Sequence, residues 1–257
     1  MDSRVRFINQ PHKGIAFTRN HLLDLAQGEW ITFIDADDYV SDNFLALFLQ
    51  QIEQTPSINV FICRPCSVKR GKMMPSSPFK GNKKQYYEAL IGKDYAKVDS
   101  CLLGKVIRRS SIEQYYVRCL EHFSLGEDLY FLVSLLYYMD SISYVDGQIY
   151  FYNRDNNGSI THLALYVEEE VTSFQEVIRF IYSHPDFHEY DKAINRGKMR
   201  IRHSRYLHAM RFRDSNISQF VYNDVKYGGL PLSDKLRLFL INHRLPLLLK
   251  VVDKIFN

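Results

Sequence analysis

Trp30 to Ile34 is an almost continuous apolar run of strand length, and it stops abruptly at Asp35-Ala36-Asp37-Asp38. In open α/β sheets ligands collect outside the carboxyl ends of strands, so three carboxylates at such a boundary stand where a site is expected. Like charges held together raise one another's proton affinity unless a cation joins them. Mg²⁺ or Mn²⁺, which keep open water positions and bridge substrate phosphates, would resolve the repulsion, with Asp37 and Asp38 as the metal-binding candidates. A solvated acidic turn capping a helix at Ser41 is the plainer alternative. A calcium loop is excluded by spacing, because Tyr39, Val40 and Ala46 occupy the fifth, sixth and twelfth positions from Asp35. A strand followed by D-x-D also suits an aspartyl phosphotransferase, with Asp35 as nucleophile and Asp37 as acid.

The flanking sequence alternates strands and helices. Val5 to Ile8 reads as a short strand, and Gly14 to Gln27 as a helix with Ile15, Leu22, Leu23 and Ala26 on one face, ended by Gly28. Arg19 falls within that face, where a charge needs an anion: a core carboxylate in a buried salt bridge, or a phosphate. Phe44, Leu45, Phe48 and Ile52 mark the next helix, and Asn59 to Ile62 another strand. Lys69 to Lys84 reads as a mobile surface segment. Lys105 is a candidate for facing a diphosphate, or a solvated lysine.

Gly126-Glu127-Asp128 opens a helix that runs to Met139. Acidic residues suit a helix start, but phase separates these two: Asp128 shares a face with Phe131, Leu132, Leu135, Leu136 and Met139, while Glu127 points about 100° away. A carboxylate on the buried stripe at a helix start can look into a cleft as a general base. Beyond it, Tyr144 to Ile149 reads as a hairpin turning at Asp146-Gly147, and Phe151 to His162 as a polar loop offering Arg154, Ser159 and His162.

With 46% hydrophobic and 24% charged residues among 257, the chain is globular rather than disordered or low-complexity. Its net charge of +4 is unevenly placed, with 18 basic and 18 acidic residues in 1–162 but 15 against 11 in 163–257. No apolar run of membrane-spanning length occurs, and the start is too polar for a signal peptide, so a cytoplasmic protein is expected. Cys63 and Cys66 form a lone C-x-x-C, but Cys101 and Cys119 are too widely spaced to complete a zinc site, and buried free thiols are the plainer reading.

Taken in order, Gly14, Thr18-Arg19-Asn20 and Gly28-Glu29-Trp30-Ile31-Thr32-Phe33-Ile34-Asp35-Ala36-Asp37-Asp38 resemble the family 2 glycosyltransferases of the GT-A fold. Gly126-Glu127-Asp128 is similar to the family's later E-D motif, and Tyr152, Arg154, Ser159 and Thr161 to its Y-x-R-x-x-x-x-S-x-T loop. The resemblance covers residues 4 to 162 and implies an α/β GT-A sheet flanked by helices. It further implies a nucleotide-diphosphate sugar donor and a glycan or lipid-linked acceptor in surface polysaccharide synthesis. Asp35 would sit near the nucleotide ribose, Asp37 with Asp38 on the metal (Mn²⁺ or Mg²⁺), and Asp128, with Glu127 beside it, would be the base of an inverting displacement. Arg19, Lys105 and Arg154 complete the expected donor contacts.

The family opens with two strands, ending in P-x-Y-N and D-D-G-S, that cradle the base. Both precede the first residue here, so an N-terminally truncated sheet is expected over 1–162, and an inactive remnant or a binding module of the same fold is the alternative. Residues 163–257 read as a helical, basic appendage. Lys192 to Arg213 holds eight basic side chains and no acidic one, and Leu236 to Phe256 is apolar and basic around Pro246. A solvated helical cap or peripheral contact with an anionic membrane fits this pattern. Nucleic acid is not expected, since no binding-fold signature accompanies the charge.

Overall fold

A computed structural model describes residues 2–155, 166–212 and 222–256. The first helix, α1 (Ile15–Leu25), starts after Gly14, whose φ of +90° turns the chain into it at no steric cost. Its buried face is Ala16, Arg19, Asn20 and Leu23, while Leu22 is 44% exposed. The face is thus rotated from the apolar one expected, because Arg19 and Asn20 find polar partners inside. Val5 to Ile8 forms no strand: the segment has no ladder partner, and Val5 and Phe7 are exposed.

Next come β1 (Trp30–Thr32), β2 (Tyr39–Val40), α2 (Phe44–Gln54) and β3 (Val60–Ile62). Helix α2 buries Phe44 and Phe48 but leaves Leu45 exposed, and Asn43, not Ser41, stands at its cap position. The stretch expected to be a mobile surface segment instead contains a hairpin, β4 (Cys66–Lys69) and β5 (Lys72–Met74), and leads into α3 (Lys83–Ile91). Arg70 and Gly71 both have positive φ, which suits the twist of a two-residue hairpin turn. Asn82 and Gln85 form a reciprocal capping box on α3.

The chain continues through β6 (Lys105–Arg108), α4 (Arg109–Gln114), α5 (Glu127–Tyr137), β7 (Ser143–Tyr144) and β8 (Tyr150–Asn153). Two four-stranded sheets result, in the orders β1-β6-β3-β7 and β2-β8-β4-β5. The hairpin expected across Asp146-Gly147 is not one. Strand β7 pairs parallel to β3, whereas β8 pairs with β2 and β4, so the turn carries the chain from one sheet to the other.

Helices α6 (Tyr166–Tyr182), α7 (Asp191–Phe212), α8 (Leu232–Asn242) and α9 (Pro246–Phe256) follow. Val171, Phe174, Val177 and Ile181 of α6 and Ile194 and Ile201 of α7 share one core with Ile62, Leu90, Ile107, Leu132 and Leu136. A Cβ on Gly197 would meet the Phe174 ring at 2.3 Å and the Ile91 carbonyl at 2.5 Å, so α7 lies tight against α6 and α3. The boundary expected at residue 162 lies outside the described residues.

Candidate active site

Strand β1 delivers the acidic loop, and β8 holds it. Tyr150 donates its hydroxyl proton to Asp38 Oδ2 (2.8 Å) and accepts the Asp35 N–H (3.3 Å), while the Asn153 N–H donates to Asp38 Oδ1 (2.9 Å). Both Asp38 oxygens are therefore engaged, and burial raises this carboxyl above its ordinary range. Asp38, expected as a metal ligand, anchors the loop to β8 through these bonds. Asp37 is exposed, and Asp35 keeps about a third of its side chain open (36%).

Asp35 faces the second cluster through Arg19. The guanidinium of Arg19 meets Asp35 Oδ1 at 3.6 Å and Glu127 Oε1 at 2.8 Å, and also bonds Asp128 Oδ1. The sequence left two readings for Arg19, and the structure places it on carboxylates. Next to it, Asn20 clamps residue 119 from both sides, accepting the Cys119 N–H (2.8 Å) and donating to the Cys119 carbonyl (2.9 Å). The Thr18-Arg19-Asn20 segment of α1 thus fixes the approach to α5.

At the start of α5, Gly126 is left-handed (φ +85°), and a Cβ there would lie 2.2 Å from Ser173 Oγ. Helix α6 therefore presses directly on the turn that presents Glu127 and Asp128. Phase does not separate these two residues, because α5 is buried on nearly all sides and both carboxylates reach Arg19. Exposure does: the Asp128 side chain is 17% accessible and that of Glu127 only 7%. Asp128 Oδ2 otherwise accepts only a long bond from the Leu102 N–H (3.3 Å). Burial, reinforced by the charge of Asp128, pushes the Glu127 carboxyl up to about 8. Burial also raises Asp128, against the pull of Arg19. One guanidinium cannot balance two buried carboxylates, so both are raised together and titrate as a pair.

Lys105 does not face a diphosphate. It is 1% exposed in β6, with Nζ donating to the Leu103 carbonyl at 3.2 Å, because every other residue of this central strand up to Ile107 is also buried. Arg154 is exposed just past β8, next to the residue whose N–H holds Asp38, and its own N–H bonds the Val68 carbonyl. Ser159, Thr161 and His162 lie outside the described residues. Cys63, Cys66, Cys101 and Cys119 are free, and burial pushes the thiols of Cys63 and Cys119 up to about 12 and that of Cys101 to about 11, far from a metal-ready thiolate.

Sequence reasoning missed Tyr150, which sits in an apolar stretch with nothing local to mark it, and gave no role to Asn20, which it quoted only as part of the Thr18-Arg19-Asn20 motif. Among the described residues no group of three or more His, Cys, Asp or Glu converges as a metal cage. The hard oxygens of Asp35 and Asp37 nevertheless fit Mg²⁺ or Mn²⁺, which need only one or two carboxylates when phosphates and water supply the rest.

A carboxylate loop after a strand thus faces a buried acidic pair at a helix start. Residues 1–116 match the sequence model of glycosyl transferase family 2. EpsH of Bacillus subtilis (strain 168), whose name assigns it provisionally to the glycosyltransferases, is 28% identical over 162 residues, 59% of this chain and 45% of EpsH. The uncharacterized glycosyltransferase EpsJ of the same organism is 25% identical over 63% of this chain and 48% of its own. These matches span less than half the length of either relative. Among solved structures, S. aureus TarS 1-349 in complex with UDP-GlcNAc superposes with a TM-score of 0.69 at 16% identity, covering 96% of this chain and 73% of TarS. That likeness establishes the GT-A fold, an α/β sheet flanked by helices, with helices at the C-terminal end.

Proposed function

We propose that the chain transfers a sugar from a nucleotide diphosphate to a hydroxyl of a glycan or lipid-linked acceptor in surface polysaccharide synthesis, with inversion at the anomeric carbon. The observation that carries this reading is the bridge made by Arg19 between the Asp35 loop and Asp128. It brings the loop that would carry a diphosphate beside a partly open carboxylate. The UDP-GlcNAc complex of TarS supports a nucleotide-sugar donor. Asp35 and Asp37 would hold Mg²⁺ or Mn²⁺, which when bound supplies positive charge to the leaving diphosphate. Asp128 takes the proton of the acceptor hydroxyl, whose oxygen bonds the anomeric carbon as the bond to the diphosphate oxygen breaks. Arg19 orients Asp128 and favours its ionised form, while Glu127, the more deeply buried of the two, is the poorer base. Arg154, exposed just past β8, would meet the donor from the Asp38 side.

The test is release of UDP from UDP-GlcNAc with Mn²⁺, followed together with the anomeric configuration of the product by NMR. Inverted product that depends on Asp128 supports the reading. Absence of both donor binding and transfer, with an acyl-phosphate analogue trapped on Asp35, would replace it with the aspartyl phosphotransferase.

A further inference from the structure

Four cations of the basic run of α7 are turned toward its neighbours. Lys198 pairs with Asp224, Arg200 with Asp94 (3.3 Å), and Arg202 donates to the Tyr222 carbonyl and Asn242 Oδ1, while Arg205 is buried. These cations tie α7 to its neighbours and offer no charged face to a partner.

Helices α8 and α9 have the opposite character. Leu238 and Ile241 of α8 and Leu249 and Val252 of α9 face the core. Each helix then carries a second apolar stripe facing solvent. On α8 it is Leu232, Leu236 and Phe239, spaced four and three apart; on α9 it is Leu247, Leu248, Val251 and Ile255, each more than half exposed. An ordinary surface helix is polar there. The charges sort as sharply. Lys235, Arg244, Lys250 and Lys254 are all exposed. The two acidic residues, Asp234 and Asp253, are withdrawn into a network in which Arg237 bonds both (3.2 and 2.8 Å) and His203 meets Asp253 (3.0 Å). From Pro231 to Phe256 the exposed charge is therefore entirely positive.

We infer that α8 and α9 dock on an anionic phospholipid surface, lying in the interface with their outer apolar stripes at the acyl boundary and their lysines among the headgroups. Apolar burial and cation attraction act together in such helices. A second copy of the chain is a poor occupant, since it would bring the same cations against these. Among the described residues no helix is long and apolar enough to cross a membrane, so the contact is peripheral. The inference rests on the helix surfaces and holds whether or not the chain transfers sugar.

Flotation of the full chain with vesicles of phosphatidylcholine, with and without phosphatidylglycerol, tests it. Binding is expected to rise with the anionic lipid and to fall with salt. Lys250→Glu with Lys254→Glu should weaken it by about tenfold or more. Val251→Asp with Ile255→Asp should abolish it, with an unchanged circular dichroism melt because these side chains face away from the core. Equal binding to both vesicle types, no binding, or an oligomer in lipid-free sedimentation that the Val251 and Ile255 changes dissociate would each overturn the assignment.

Discussion

Replacing Arg19 with Met should unmask the electrostatics that hold the site together. The Arg19 side chain is 6% exposed and its partners Glu127 and Asp128 are 7% and 17% exposed, so the substitution strands two buried carboxylates. Once Glu127 is ionised, an effective dielectric of about 20 at its 2.8 Å separation gives an attraction of about 6 kcal/mol. Relief of guanidinium desolvation offsets part of this, and breaking buried pairs typically costs about 3 to 5 kcal/mol. The sign with pH follows from linkage. Glu127 already titrates above its unfolded value of 4.5, so its protonated form contributes stability that is complete below that value and lost as pH rises toward about 8. Without Arg19 both carboxyls move higher still. The stability gap between wild type and Arg19→Met, read from urea unfolding, should therefore be widest near about pH 9 and narrow toward about pH 5. A gap below about 1 kcal/mol at the higher pH, or one of equal size at both, would refute the charge inventory proposed for the cluster.

Asp128→Asn should retain donor affinity by calorimetry while losing on the order of 10² to 10⁴ in transfer rate, with Glu127→Gln the milder change. Tyr150→Phe removes the hydroxyl shared by Asp38 and the Asp35 N–H; it should cost about 1 to 2 kcal/mol in thermal unfolding and weaken Mn²⁺ binding in the presence of UDP. Gly126→Ala combines a strained φ with a clash against Ser173; a loss of about 1 to 3 kcal/mol is expected, partly restored by Ser173→Gly.

The elements legible in the sequence were those whose pattern was local. The apolar run into Asp35 is a strand end, Glu127 opens a helix, and Pro246 divides two C-terminal helices. The hairpin around Gly71 was not legible, because Arg70 is an unusual residue for a left-handed turn position. The Asn82 and Gln85 cap was present in the sequence but masked by the surrounding Lys, Gly, Ser and Pro. For the site, residue types were readable and their partnerships were not. Asp37 and Asp38 look alike in sequence, yet only the side chain of Asp38 meets Tyr150, 112 positions away. Lys105 read as solvated or facing a diphosphate because lysines are seldom buried, while the strand order, which no local pattern encodes, places its strand between β1 and β3.

Arg19 and Glu127 are 108 positions apart, which makes the site a product of late assembly. The loop between them must close before the guanidinium meets its carboxylates, and closure entropy must be offset by other contacts first. Until then three acids and an arginine remain hydrated and add nothing to the nucleus. Mutations at this cluster should accelerate unfolding and leave the refolding rate nearly unchanged, so the residues proposed for the chemistry should also govern how long a folded molecule lasts.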